Sequence, residues 1–311
     1  MAALVETMYS TREKPWHGLG VVVQEAPTSG EALRLAGLDW NVVQEPVYTS
    51  FREKIEGFKA NVRDSDRKVL GVVSDRYKVV QNVEAFRFTD ELLGHGVRYE
   101  TAGSLSGGKR VWLLARLPQE YIMAGERISP YLVFSNTHDG SGSVKVAVTP
   151  VRVVCNNTLN LALDTAQRSF CMMHTGNIAD KIREARETLF MAESYMEQLG
   201  AEFERLRKQK VTDAQVEEYI RLLLPMEKNP TKIQEKNIRR LREGMKERYY
   251  GAPDLKKVGN NAYRFVNAVS DFATHADPLR KTANYKENLF GRTIDGNPLI
   301  DRAYQLVKGA A

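Results

Sequence analysis

The residues in this chain best suited to chemistry by type and spacing are Arg152, Asn156 and Asn160, which recur every four positions. Thr149-Pro150 precedes them. A threonine followed by proline suits the cap and first position of an α-helix, where proline's missing N–H costs nothing. On such a helix one stripe carries a guanidinium and two amides, continued by Asp164. Val151, Val154, Cys155, Thr158, Leu159, Ala162 and Leu163 form the opposite, apolar face. Donors in that pattern suit a nucleic-acid backbone or splayed bases. They equally suit a structural role, tying the helix to nearby strand ends. The preceding turn, His138-Asp139-Gly140-Ser141-Gly142, sets an imidazole beside a carboxylate. That is base-and-orienter chemistry only when the two side chains face each other. Neighbours on a turn rarely do, and Asp-Gly is what a tight hairpin needs in any case. No catalytic residue is assigned.

Further cations follow glycine-rich turns. Lys109 and Arg110 come after Ser106-Gly107-Gly108, and Lys145 after Gly140-Ser141-Gly142. Neither turn has a Walker pattern and neither opens a helix. Both read most simply as hairpin turns, with a phosphate backbone able to lie along their tips. A predicted helix over 231–250 carries Lys232, Lys236, Arg239, Arg240, Arg242, Lys246 and Arg248. Glu235, Glu243 and Glu247 interleave at distances that allow ion pairs one turn apart. Tyr249, Tyr250 and Tyr263 offer surfaces on which bases could stack. Five scattered histidines (His17, His95, His138, His174, His275) make no zinc spacing, and no C-x-x-C is present. Neither a metal site nor a cofactor is expected.

The elements that would position these residues follow from periodicity. Strands are expected over 39–48, 54–62, 68–73 and 77–80, with a short helix over 28–37 before them and a helix capped by Asn82 over 83–93 after them. Hairpins follow at 97–105 with 109–117 and at 131–135 with 144–148. Residues 9–20, with Trp16-His17, read as an extended arm. From about residue 169 the pattern turns helical: 178–210, 214–224, 231–250, 261–274 and 298–307, with an irregular segment near 276–297. The fold class is therefore α+β, mostly antiparallel sheet with hairpins and a few helices, followed by a helical C-terminal region. The expected division is 1–168 for the α+β core with its arm and 169–311 for the helical part.

Bulk properties set the frame. The chain has 311 residues, 42% of them hydrophobic, and a net charge of +6. That balance is compatible with a polyanionic partner and does not demand one. The N-terminus lacks a signal-peptide pattern and no apolar run is long enough to span a bilayer, so no membrane partner is expected. With two cysteines, Cys155 and Cys171, a cytoplasmic location is expected.

Three strings, EKPWHGLG, DRYKVVQN and NTHDGSGSVKVAVTPVRVVCNNTLNLAL, resemble the phage/plasmid-like protein family known as domain of unknown function 932. The resemblance runs over most of the chain. It implies a gene carried by phages, plasmids or other mobile elements, and it brings no catalytic residue with it. A hairpin-rich sheet followed by a helix is also similar to the core of single-strand annealing proteins, a fold-level analogy. The expectation is a DNA-binding protein that anneals single-stranded DNA in recombination, as a homo-oligomer. Lys109, Arg110, Lys145, Arg152, Asn156, Asn160, Arg239 and Arg240 would contact the strand. The alternatives are a metal-dependent nuclease, with Asp75 and Asp139 holding Mg²⁺, and a protein-interaction factor that modulates the host.

Overall fold

The computed structural model describes residues 5–11, 21–25, 27–93, 98–152, 157–158, 169–175, 178–279 and 296–309. Trp16-His17, His95, Cys155, Asn156, Asn160 and the Arg152 side chain lie outside the described residues, as does most of the segment expected to be irregular. Contacts divide the chain into two compact units, neither of them one continuous run. The first comprises Met1–Pro118, Tyr131–Val148 and Gln167–Ala192; the second comprises Gln119–Pro130, Thr149–Ala166 and Glu193–Ala311.

In the first unit the larger sheet is built on two long hairpins. Strand β6 (Arg98–Leu105) pairs antiparallel with β7 (Arg110–Arg116), and β7 with β9 (Glu126–Thr137). Strand β10 (Val144–Arg152) lies beside β9, and β12 (Ser169–Met172) pairs with its first half. On the other side β1 (Val5–Thr11) pairs with β6, and β2 (Val21–Val23) runs parallel to β1. Val111, Leu113 and Ala115 of β7 are buried, and Trp112 between them is buried as well. A second, three-stranded sheet has the order β3 (Val42–Tyr48), β4 (Lys54–Arg63), β5 (Val69–Ser74). Helices α1 (Ser29–Leu35) and α2 (Asn82–Leu93) lie in the same unit, as does the start of the helix Ile178–Lys208. Thr28 and Glu31 form the capping box that opens α1, and Gly37, at φ +63°, ends it as expected.

Three expectations are corrected here. Residues 149–152 do not open a helix. They continue β10, whose Val151 and Arg152 pair with Thr158 and Asn157 of β11 (Asn157–Thr158). Pro150 falls between the stretch paired with β12, Val144–Ala147, and the stretch paired with β11. Its fixed φ suits extended backbone. The four-residue stripe through Arg152 therefore loses its helical basis. Second, residues 9–11 are not part of a loose arm. Tyr9 is fully buried in β1, and its hydroxyl donates to the Tyr99 carbonyl. Third, 77–80 is not a strand; Tyr77 instead stacks on His174 at 4.3 Å.

The second unit is mainly helical: the end of α3 (Ile178–Lys208), then α4 (Asp213–Leu223), α5 (Lys232–Gly251), α6 (Ala262–His275) and α7 (Pro298–Gly309). Thr212 and Thr231 make reciprocal capping boxes with Gln215 and Gln234. Helix α6 is buried nearly all round, Tyr263, Phe265, Val266 and Val269 among them. Phe203 of α3 and Tyr219 of α4 meet its aromatic rings at 5.1 and 5.3 Å. The N-terminal part of β9 pairs with β8 (Tyr121–Met123), and Tyr263 donates to Glu126 of β9 at 3.0 Å.

Candidate functional site

Three hairpin turns gather at one end of the first unit: 64–68 between β4 and β5, 106–109 between β6 and β7, and 138–143 between β9 and β10. Register brings the last two together, since Arg110 of β7 pairs with Thr137 of β9 and His138 N–H donates to the Lys109 carbonyl at 2.7 Å. Glycines let the rest close in. A Cβ on Gly71 would lie 2.5 Å from Asp139 Cα, so β5 can touch the β9–β10 turn only without a side chain there. Gly107 faces Lys68 of the β4–β5 turn.

Under these tips lies a buried polar network. His138 is fully buried, with its ring edge-on to Trp40 at 5.4 Å. Its Nε2 meets Asn82 Oδ1 at 3.0 Å. The Asn82 amide nitrogen donates to the Leu38 and Trp40 carbonyls, so Oδ1 is an acceptor and Nε2 of His138 must carry the proton. Asn82 is thus turned to the turn and loop around it; it is the first residue of α2, and its side chain does not cap that helix. Asn61 Nδ2 donates to the His138 carbonyl at 2.7 Å, the Tyr77 hydroxyl to Thr137 O at 2.5 Å, and Asn136 Nδ2 to Val80 O at 3.0 Å. Asn136 Oδ1, Thr137 Oγ1 and His138 Nδ1 are buried without a partner among the described residues. Burial, with His174 adding to it, pulls the His138 pKa down to about 3. A neutral imidazole sealed from solvent is a structural group. It cannot serve as a base toward an external substrate. Asp139 is spent locally, its Oδ1 accepting from the Ser141 N–H and hydroxyl.

The sequence-derived contact residues separate into two groups. Lys109, Arg110 and Lys145, all half-buried, share the hairpin end of the first unit. Arg239 and Arg240 stand exposed on α5 in the second. On α5 the fold has already used several cations. Arg242 donates to the Leu224 carbonyl beyond α4 at 2.8 and 3.0 Å, Lys246 pairs with Glu217 at 2.6 Å, Arg248 with Asp271 at 3.1 Å, and Arg239 with Glu235 one turn back. Lys232, Lys236 and Arg240 remain, exposed, on one stripe, with no ion-pair partner among the described residues. Spaced four residues apart, they lie about 6 Å from one another along the axis. Tyr249 and Tyr263 are fully buried and cannot stack on bases, which corrects that expectation; Tyr250 is partly exposed, with its hydroxyl on Asp213. Lys232 and Lys236 were legible in the charge run, but only the ion-pair geometry distinguishes them from Arg242, Lys246 and Arg248.

Among the described residues no three or more His, Cys, Asp or Glu side chains come together as a metal site. A family model described as Domain of unknown function (DUF932) matches residues 69–291. The chain belongs to that family. The DUF932 match takes in DRYKVVQN and the long string from Asn136, whereas EKPWHGLG precedes it. It also spans both the hairpin tips from β5 onward and the α5 stripe. No curated protein and no solved structure matches the chain. Among the described residues no helix is long and apolar enough to cross a membrane.

Proposed function

We propose that this protein binds single-stranded DNA without sequence preference and pairs complementary strands, as a protein of a phage, plasmid or related mobile element, with no cofactor. The observation that carries the reading is the α5 stripe. Lys232, Lys236 and Arg240 are exposed cations that the fold leaves unpaired among its described residues, next to four that it consumes. Unpaired cations in a row are what a phosphate backbone needs, since each phosphate neutralised releases counterions. The half-buried cations at the hairpin tips, Lys109, Arg110 and Lys145, supply a second basic surface within the first unit.

The test is a gel-shift and annealing assay with labelled single- and double-stranded oligonucleotides at two salt concentrations. The expected result is preferential binding of single strands that weakens steeply with salt, together with faster annealing of complementary pairs. Absence of binding at low salt overturns the proposal in favour of a protein-binding role. Divalent-dependent cleavage lost in Asp139→Ala overturns it in favour of a nuclease.

A further inference from the structure

The three-stranded sheet has two unlike faces. The register aligns Pro46, Lys59 and Val73 in one row and Gln44, Asn61 and Gly71 in the next. This face packs on the β9–β10 turn, through Asn61 on the His138 carbonyl and Val73 against Gly140. The opposite face carries Phe58 with Ser74, then Glu45, Ala60 and Val72, then Val43, Val62 and Val69. An antiparallel sheet with one face on the core normally turns polar residues outward. Here the outward rows are apolar: Phe58 is 50% exposed, Val69 55%, Val72 53% and Val43 37%, while Val62 between Val43 and Val69 is buried. Phe51, in the turn joining β3 and β4, is 86% exposed.

We propose that this face binds the same face of a second copy of the chain, giving a weak twofold dimer. Charge points to a copy of itself. The ionised side chains of this face are paired within the chain, Glu45 with Arg67 and, at the start of β4, Lys54 with Glu56. A neutral face gives neither a polyanion nor a strongly charged protein anything to recognise, whereas two neutral apolar faces fit each other. Area agrees. Three strands about 4.8 Å apart and about six residues long offer a footprint on the order of 300 Å². Two such faces and their rims cover on the order of 1,000 Å², the lower bound for specific association and the range of weak, reversible pairs. In a twofold pair each contact is made twice, so the central row, Ala60 with Val72, packs on its own counterpart. Because the chain carries net charge +6, long-range repulsion opposes the pair, and salt relieves it. Self-association therefore strengthens with salt, opposite in sign to DNA binding. The proposal does not depend on the DNA reading.

Sedimentation equilibrium of the full chain without DNA, over about 1 to 500 μM protein and two salt concentrations, tests it. The expected result is a monomer–dimer equilibrium with a dissociation constant on the order of 10–100 μM, tighter at high salt. Val72→Lys and Val72→Ser, both at an exposed position, should weaken it at least tenfold with circular dichroism and melting unchanged. Val72→Ser guards against an effect of added charge alone. A chain that stays monomeric throughout, or variants that dimerise like the parent, overturns the proposal. So does flotation of the chain with neutral phosphatidylcholine vesicles that Val72→Ser abolishes, since the face then serves lipid.

Discussion

At the hairpin end of the first unit, polar side chains turn inward and bond to backbone. Along α5 of the second unit, three of them turn outward and bond to no described residue. Asn61, Asn82, Asn136 and His138 are each at most 2% exposed, and their amide donors all end on main-chain carbonyls. Lys232, Lys236 and Arg240 are exposed on a helix whose other cations cap α4 or pair with acids. The difference follows from desolvation. A buried amide or imidazole costs free energy unless partnered, so the network's geometry is fixed by the fold and fixes it in turn. An exposed ammonium is satisfied by water and leaves the fold indifferent to it. Changes in the first region should therefore read out as stability, and changes in the α5 stripe as binding.

The largest effect is expected where the hairpin end has no room. In Gly71→Val a Cβ would sit 2.5 Å from Asp139 Cα and 2.7 Å from its carbonyl oxygen, and backbone cannot swing aside as a side chain can. Overpacking of this kind costs about 3 kcal/mol. Urea unfolding should show the midpoint fall accordingly; a loss under 1 kcal/mol would mean that β5 does not depend on the β9–β10 turn.

Next is the acid sensitivity of His138. Its folded pKa, about 3, lies below the ordinary value near 6.5. Between those values the unfolded chain holds a proton that the folded chain does not. Stability from this group is thus complete above pH 6.5 and is lost as pH falls toward 3, at up to about 1.4 kcal/mol per pH unit. From pH 7 to pH 5 the loss is about 2 kcal/mol. Unfolding at a series of pH values should show that slope in the parent and a flatter one in His138→Gln, whatever the variant's absolute stability. Equal slopes would place the acid-sensitive group elsewhere.

These two positions also mark what could be read from the sequence. The hairpins were legible because alternation and Gly-containing turns are local signals, and α4 to α7 because helical periodicity is. That His138 belongs to a tight turn was legible too. Its burial was not, because the covering groups, Trp40, Asn61 and Asn82, come from strands and loops 56 to 98 residues earlier in the chain. Strand β1 was missed for the same reason, since Tyr9 pairs with Ala102; the alternating Val5, Thr7, Tyr9 and Thr11 were its only local sign. Thr149-Pro150 misled because a cap-and-proline signal outweighs nothing once β11 and β12 offer a strand its partners.

A middle-sized effect separates the two kinds of cation on one helix. Arg242 holds the Leu224 carbonyl, and Arg302 of α7 holds those of Leu222 and Leu223, so both satisfy the open end of α4. Arg242→Gln should cost about 1 kcal/mol through the lost charge-assisted bonds and the helix dipole. If the proposed DNA surface is the stripe alone, affinity for a single-stranded oligonucleotide should stay within twofold. A fall in affinity without a fall in stability would move Arg242 into the binding surface.

The smallest effect on stability is expected from Lys232→Gln, Lys236→Gln and Arg240→Gln made together. Glutamine keeps helix propensity close to that of lysine and arginine, and no described ion pair is broken. Stability should change by less than about 0.5 kcal/mol. Binding should respond strongly. If each cation neutralises one phosphate of a single strand, removing three lowers the slope of log affinity against log salt by about 2. Fluorescence anisotropy at four or five salt concentrations, alongside urea unfolding, measures both quantities on one preparation. A triple variant that loses stability as well would show that the stripe is held by the fold after all, and one that binds with the parent's slope would move the proposed DNA contact to Lys109, Arg110 and Lys145.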